Sequence, residues 1–189
     1  MDLKIWSKTL LNSYMCFEKV AEAIDSLVLT YGLDSINLHD AKAFEFTAEQ
    51  MIELTDRKKL LINLKVLCDQ VFASMNPKYA RILILKYIDN MKCSDIAKLL
   101  GISIRSYFRW MNEAINSFSI KLKSLGYTDE LLKEMCNDEL WIKQLYNKYF
   151  VAELSSKAKK DYIEEFEEII TLAISSFKRA KNNVSYSVS

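Results

Sequence analysis

The sequence predicts an all-α protein, with a group of shorter helices between long N-terminal and C-terminal helices. Half of the 189 residues are hydrophobic, whereas the chain contains only three glycines and one proline. A protein with a many-stranded sheet needs more turn residues than this composition supplies. Apolar residues also recur at spacings of three and four over long stretches, which is the period of a helix with one buried face. The length suffices for one core or for two small ones.

Two long helices are expected in residues 1–76. Apolar residues at helical spacing run over residues 3–29, and Gly32 is expected to end the first helix. A loop with some local order should follow over residues 33–46. The tetrapeptide TAEQ then has the form of a capping box, which predicts a second helix over residues 47–74.

The middle of the chain predicts three helices of different length. Asn76 can cap the first of them with its side chain, and Pro77 is tolerated at the first helical position. The expected ranges are 77–89, 93–100 and 104–124.

Gly126 should end the last of these helices, and two further helices are expected after it. Thr128-Asp129-Glu130 can begin one, with acids in the first turn where they complement the helix dipole, and Asn137-Asp138 can interrupt it. The final helix is expected over residues 156–180. We therefore divide the chain into an N-terminal helical region (1–76), a central unit (77–126) and a C-terminal helical region (127–189).

The charged residues are unevenly distributed along the chain. The net charge is +1, but residues 78–123 contain nine lysines or arginines and three acids, a balance of +6 that leaves −5 for the remainder. A basic segment within an acidic chain is typical of a module that approaches phosphate groups. Chance variation between short helical segments is the alternative explanation.

The cysteine and histidine content argues against metal and haem sites. Cys16, Cys68, Cys93 and Cys136 lie far apart without a CxxC pair, and His39 is the only histidine. We expect buried thiols in a reducing cytosol and no cofactor. The chain shows no secretion signal and no apolar run near about 18 residues, which predicts a soluble cytoplasmic protein without membrane contact.

The residues do not predict an enzyme. His39 has no Cys or Ser partner motif, and the sequence contains no glycine-rich phosphate loop. The acidic pairs Glu164-Glu165 and Glu167-Glu168 are interpreted as a solvated helix face.

The most informative stretch is residues 78–118. Gly101 is expected to take a positive φ in a tight turn, Ile102 to fill that turn from beneath, and Ser103 to cap the helix that follows. Apolar residues of the two helices beside the turn can close a small core: Ile96, Ala97, Tyr107, Met111 and Ala114. The pattern is that of a helix-turn-helix, whose second helix enters the DNA major groove.

Residues 77–122 resemble region 4 of bacterial sigma factors. The segment Ile96–Ser103, IAKLLGIS, carries the IA..LGIS pattern of that family. The segment Arg105–Trp110, RSYFRW, is closer still to the ArpU-type phage regulators of late transcription. Residues 1–46 do not resemble the sigma-factor region that binds the −10 element.

Two positions depart from the family pattern. Lys92 occupies the place where the family usually has a Ser or Thr N-cap, so that either Ser94 caps one turn later or the helix start is frayed. Asn90 stands where glycine is common, and asparagine tolerates the same backbone conformation.

The resemblance implies that the helix over residues 104–118 presents one face to double-stranded DNA. The side chains implied at the DNA are Ser103, Arg105, Ser106, Phe108, Arg109 and Asn112. The side chains implied to point inward are Tyr107, Met111, Ala114, Ile115 and Phe118.

Individual roles differ within that set. Arg105 is expected to contact a base edge, and Arg109 either a base or a phosphate. Lys92 and Lys98 are candidate phosphate contacts, with solvated surface lysines as the alternative. Phe108 and Trp110 leave core packing open as an alternative to DNA contact.

The function implied is that of a sequence-specific DNA-binding regulator of bacterial or phage transcription. RNA polymerase is the second partner considered, and the flanking helices are expected to form either a homodimer interface or a bundle around the DNA-binding unit. The C-terminal aromatic residues are expected in an intramolecular core, with a partner contact as the alternative: Trp141, Tyr146, Tyr149, Phe150, Tyr162 and Phe166. Two other functions remain open, a helical scaffold that does not bind DNA and a phage DNA-packaging subunit of the small-terminase type.

Overall fold

The computed structural model describes residues 3–35 and 41–154, and this part of the chain is built from helices. The elements are α1 (Lys4–Ser35), α2 (Ala41–Ser74), α3 (Pro77–Leu83) with a π-helical extension (Ile84–Ile88), α4 (Cys93–Leu99), α5 (Ile104–Ser124), α6 (Asp129–Met135) and α7 (Leu140–Leu154). The all-α prediction is confirmed. The expected helix over residues 156–180, with its acidic pairs and its aromatic residues Tyr162 and Phe166, lies outside the described residues, and so does His39.

Helices α1 and α2 form a long antiparallel hairpin. Polar contacts between the helices follow an antiparallel register: Asp25–Lys58, Glu18–Lys65 and Tyr14–Asp69. The inward faces bury apolar side chains at alternating spacings of three and four, as in Leu61, Leu64 and Cys68 of α2. This spacing is what allows two helices of 32 and 34 residues to remain in contact along their length.

The hairpin is longer than the sequence predicts. Helix α1 continues through Gly32 to Ser35, so the expected stop at Gly32 is wrong. A glycine inside a helix costs about 1 kcal/mol, which is less than the packing along a partner helix can supply. Gly32 lies directly beside Met51 of α2, where such packing continues.

The expected start of α2 is also wrong. The helix begins at Ala41, so residues 41–46 are helical rather than part of a loop. The hydroxyl of Thr47 donates to the carbonyl of Ala43 one turn earlier, which is a hydrogen bond of a residue inside a helix. The TAEQ segment therefore does not act as a capping box.

Other helix boundaries agree with their sequence signals. Asn76 accepts a hydrogen bond from the backbone N–H of Lys78 at 2.9 Å and caps α3. Thr128 caps α6 through the N–H of Leu131. A break at residues 136–139 separates α6 from α7, as the Asn137-Asp138 pair predicts.

The shorter helices pack against the base of the hairpin and share one core with it. Phe118 of α5 packs edge-on against Phe72 of α2, with ring centres 5.6 Å apart. The ring centres of Trp141 in α7 and Phe17 in α1 lie 6.1 Å apart. The core placement of Trp141 and Tyr146 is confirmed, and Tyr149 and Phe150 are half-buried against the same core: these are the C-terminal aromatic residues that the structure describes.

Two buried carboxylates attach the C-terminal helices to the hairpin. Asp129 accepts hydrogen bonds from Trp6 and Tyr146 and pairs with Lys133. Glu139 pairs with Arg57 of α2 at 2.8 Å and also accepts from the indole of Trp141. Asp129 is thus a buried hydrogen-bond acceptor, in addition to its position in the first turn of α6.

The cysteine side chains are reduced and three of the four are buried. Cys16, Cys68 and Cys136 are inaccessible, whereas Cys93 is half-buried at the start of α4. Burial raises the pKa of the Cys16 thiol to about 12. Within residues 3–35 and 41–154, none of the helices combines the length and apolar character that a membrane crossing requires.

Candidate nucleic-acid interface

The segment from α3 to α5 forms a helix-turn-helix. Helix α3 ends in its π-helical extension, and Asn90 then turns the chain with a φ of 50°. Helix α4 and the longer α5 follow, separated by a turn at Gly101. The positive φ of Asn90 agrees with the family pattern in which glycine is common at this position.

The turn between α4 and α5 depends on the conformation of Gly101. Its φ is 63°, which a residue with a side chain adopts only at a cost. The N–H of Gly101 donates to the carbonyl of Lys98 at 3.1 Å, and the N–H of Ile102 donates to the carbonyl of Ala97 at 2.9 Å. These two bonds form a Schellman motif, which ends α4 and directs the chain into α5. Ile102 is half-buried and packs against the core, as predicted.

The start of α4 has no side-chain cap. Lys92 occupies the N-cap position without a side-chain hydrogen bond to the helix, and α4 is nonetheless helical from Cys93. The hydroxyl of Ser94 contacts the carboxylate of Asp95 rather than a backbone N–H. Neither alternative for this boundary, a cap by Ser94 or a frayed start, describes the structure.

Ser103 caps α5 as predicted. Its Oγ accepts a hydrogen bond from the backbone N–H of Ser106 at 3.1 Å and donates to the hydroxyl of Ser106 at 3.0 Å. The two hydroxyl groups are therefore held together at the exposed N-terminal end of α5.

Helix α5 separates an inward face from an outward face. The inward side chains are buried, as predicted: Tyr107, Met111, Ala114, Ile115 and Phe118. Arg105, Phe108, Arg109 and Asn112 are exposed at spacings of three and four along the opposite face, and Ser106 is half-buried beside them.

The two aromatic residues with alternative roles differ in exposure. Phe108 is 46% exposed, and its ring stands edge-on to Tyr107 with 5.2 Å between ring centres. Trp110 is half-buried against the core, and its ring is covered by the ammonium group of Lys78 at 3.5 Å. Phe108 is thus partly exposed at the surface, whereas Trp110 is mainly a packing residue.

The basic side chains of this surface are available for an anionic ligand. Lys92 and Lys98 are exposed, as are Arg105 and Arg109. Within the described residues, none of these four forms an ion pair with a carboxylate. Their charges can therefore interact with phosphate groups.

Sequence reasoning missed a polar link between α3 and α5. The hydroxyl of Tyr79 donates to Oε2 of Glu113 at 2.9 Å. This hydrogen bond is the main cause that raises the pKa of Tyr79, and the nearby Arg109 acts in the opposite direction. A local pattern does not reveal the link, because it joins residues 34 positions apart.

The described residues hold no group of three or more His, Cys, Asp or Glu side chains arranged to bind a metal ion. The chemistry of the exposed α5 surface is therefore that of hydrogen-bond donors, positive charges and one aromatic ring. These groups can contact base edges and phosphates.

Comparison with known proteins identifies the same part of the chain. The family model for Sigma-70, region 4 matches residues 65–116, from the last part of α2 to the middle of α5. No curated protein and no solved structure matches the chain significantly. The all-α chain therefore carries a helix-turn-helix of the sigma-70 region 4 type.

Proposed function

We propose that this protein is a sequence-specific DNA-binding regulator of bacterial or phage transcription, with α5 in the major groove. The observation that carries the proposal is the exposed face of α5 on a region 4-like helix-turn-helix, where Arg105 and Arg109 lie one turn apart and pair with no carboxylate of the described residues. The recognition helix of such motifs places its N-terminal residues against base edges.

The exposed residues suit different kinds of DNA contact. Arg105 lies nearest the N-terminus of α5, and we assign it a bidentate contact with guanine. Arg109 contacts either a base or a phosphate, and Lys92 and Lys98 contact phosphates. The remaining residues assigned to the interface are Ser103, Ser106, Phe108 and Asn112.

We further propose a place among the ArpU-type phage regulators of late transcription. The segment Arg105–Trp110 supports this, because it combines an aromatic pair with a following arginine in the recognition helix. The exposure of Phe108 and Arg109 keeps both side chains accessible for that use.

RNA polymerase and a second copy of the chain are the protein partners proposed besides DNA. The end of the hairpin farthest from α5 supports a protein contact, because it exposes Leu29, Leu33, Phe44 and Ile52. Residues 22–35 and 41–56 contain seven acids and one lysine, so this end would be repelled by DNA. Sedimentation of the chain with a duplex of one or two half-sites measures the number of copies bound.

The proposed functional regions remain 1–76, 77–126 and 127–189, with DNA contact confined to the second. All three contribute to one core, so we regard them as regions with different partners. The role proposed requires the cytoplasm, where bacterial DNA and RNA polymerase are found, and no catalytic activity.

The test begins with selection of bound duplexes from a random pool, followed by affinity measurements on selected and random DNA. We expect Arg105→Ala to weaken binding to the selected site by roughly 5- to 150-fold, with a smaller loss on random DNA. Lys98→Ala should weaken binding to both and reduce the slope of log affinity against log salt by about one.

Lys59→Ala is the matched control for Lys98→Ala. Lys59 is also exposed but lies on α2, where it pairs with Asp56. Its loss should leave DNA affinity unchanged. Recovery of no preferred duplex would overturn the proposed function, and equal losses on both kinds of DNA for both variants would overturn the assigned roles.

A further inference from the structure

Helix α5 carries a single acidic side chain, Glu113, one turn after Arg109. Opposite charges four positions apart on a helix lie close enough to pair. A carboxylate paired with Arg109 would reduce the charge of the guanidinium and occupy donors that DNA requires. The position of Glu113 therefore bears directly on the DNA contact assigned to Arg109.

The structure shows Glu113 held by a different partner. Oε2 of Glu113 accepts the hydrogen bond from the hydroxyl of Tyr79 on α3. Arg109 makes no ion pair with Glu113, or with any other carboxylate between residues 3 and 154 that the structure describes. The carboxylate is thus directed toward α3 and away from the exposed face.

A second cation near this link is also kept from Glu113. The ammonium group of Lys78 lies 3.5 Å from the ring centre of Trp110 and 5.6 Å from that of Tyr79. The aromatic faces hold this charge by cation–π contact. Arg109 is close enough to influence the pKa of Tyr79, so the guanidinium lies within electrostatic range of the link without pairing to it.

We propose that Tyr79 is a positioning residue for DNA binding: its hydroxyl holds Glu113 toward α3 and so keeps Arg109 available to the duplex. This inference rests on the proposed function, because it assigns a role to a residue that does not itself touch DNA. Loss of the hydroxyl releases the carboxylate, which then competes with DNA for Arg109.

The test compares three variants of the full chain by titration of a labelled duplex at several salt concentrations. Tyr79→Phe keeps the ring and should weaken binding by up to about twofold, with a salt slope reduced by up to about one. Glu113→Gln in the Tyr79→Phe background should restore wild-type affinity, because the released side chain no longer carries a charge. In an Arg109→Ala background, Tyr79→Phe should have no further effect.

Tyr14→Phe provides the matched control. It also removes a tyrosine–carboxylate hydrogen bond between two helices, the bond from Tyr14 to Asp69, but this bond joins α1 to α2 and involves neither α3 nor the exposed face of α5. Its DNA affinity should equal that of the wild type. Thermal unfolding of every variant identifies any loss that results from misfolding.

The outcomes separate this inference from the proposed function. A wild-type protein that binds no duplex contradicts the proposed function itself. A wild-type protein that binds DNA while Tyr79→Phe binds equally well at every salt concentration contradicts the inference alone. A loss in Tyr79→Phe that Glu113→Gln does not reverse assigns the tyrosine to packing between α3 and α5, which also overturns the positioning role.

Discussion

At the scale of single residues, the helix-turn-helix depends on two backbone positions with positive φ, Asn90 and Gly101. Both could be predicted from sequence, because few residue types tolerate that conformation and both occur at the ends of short apolar segments. The cap by Ser103 was predictable for a similar reason. The link from Tyr79 to Glu113 was not, because neither residue type nor spacing indicates a partner on another helix.

Replacement of Gly101 tests whether the turn depends on a residue that tolerates a positive φ. Gly101→Ala should lower the free energy of unfolding by about 1–2 kcal/mol, because alanine is strained at this φ although its Cβ would meet no atom within 4 Å. Gly32→Ala is the control, since Gly32 lies inside α1 and its Cβ would meet Met51 at an ordinary 3.7 Å. The free energy of unfolding of Gly32→Ala should rise by about 0.5–1 kcal/mol. Urea denaturation measures the free energy of unfolding of both variants. An equal change in Gly101→Ala and Gly32→Ala would contradict the strain assigned to the turn.

At the scale of helices, the sequence predicts that a helix is present, and which of its faces is buried, better than it predicts where the helix begins and ends. The inward and outward faces of α5 that the resemblance to sigma-factor region 4 implies agree with the structure. The ends of α1 and α2 were wrong because Gly32 and the TAEQ segment resemble local stop and start signals. Packing between the two hairpin helices decides their length, and a pattern within one helix does not report on that packing.

At the scale of the whole molecule, a common core joins the helix-turn-helix to its flanking helices, and two buried carboxylates attach the C-terminal helices α6 and α7 to the α1–α2 hairpin. Trp6 and Tyr146 donate to Asp129 across 123 and 17 positions of sequence, and Arg57 reaches Glu139 across 82. Such distant polar partners could not be read from the sequence, which places Asp129 only at a helix start. Removing one partner leaves a buried polar group unsatisfied, so these links should contribute strongly to stability.

Acid should weaken the link at Asp129. Burial alone raises the pKa of this carboxyl, but the hydrogen bonds from Lys133, Tyr146 and Trp6 outweigh burial and leave it lowered. A lowered pKa means that the stabilisation is present above the ordinary value of about 3.9 and disappears as the pH falls through the folded-state value.

Asp129→Asn should therefore reduce the free energy of unfolding at pH 7 by about 1–3 kcal/mol, because it loses the charge that three donors share. The difference from the wild type should begin to shrink below about pH 4, where the carboxyl of the unfolded chain takes up a proton, and should disappear as the pH falls through the lowered folded-state pKa. Denaturant unfolding at neutral and acidic pH measures this. A difference that stays constant over the whole range would contradict the role assigned to the carboxylate.

The measurement that tests the central claim most directly is the salt dependence of binding to duplex DNA. Lys92 and Lys98, together with Arg109 where it contacts a phosphate, neutralise two or three phosphates, which predicts a slope of log affinity against log salt between about −2 and −3. Replacing both lysines by alanine should reduce the magnitude of that slope by about two. A protein that binds no duplex at low salt, or binds with an affinity independent of salt, would contradict the assignment of this surface to DNA.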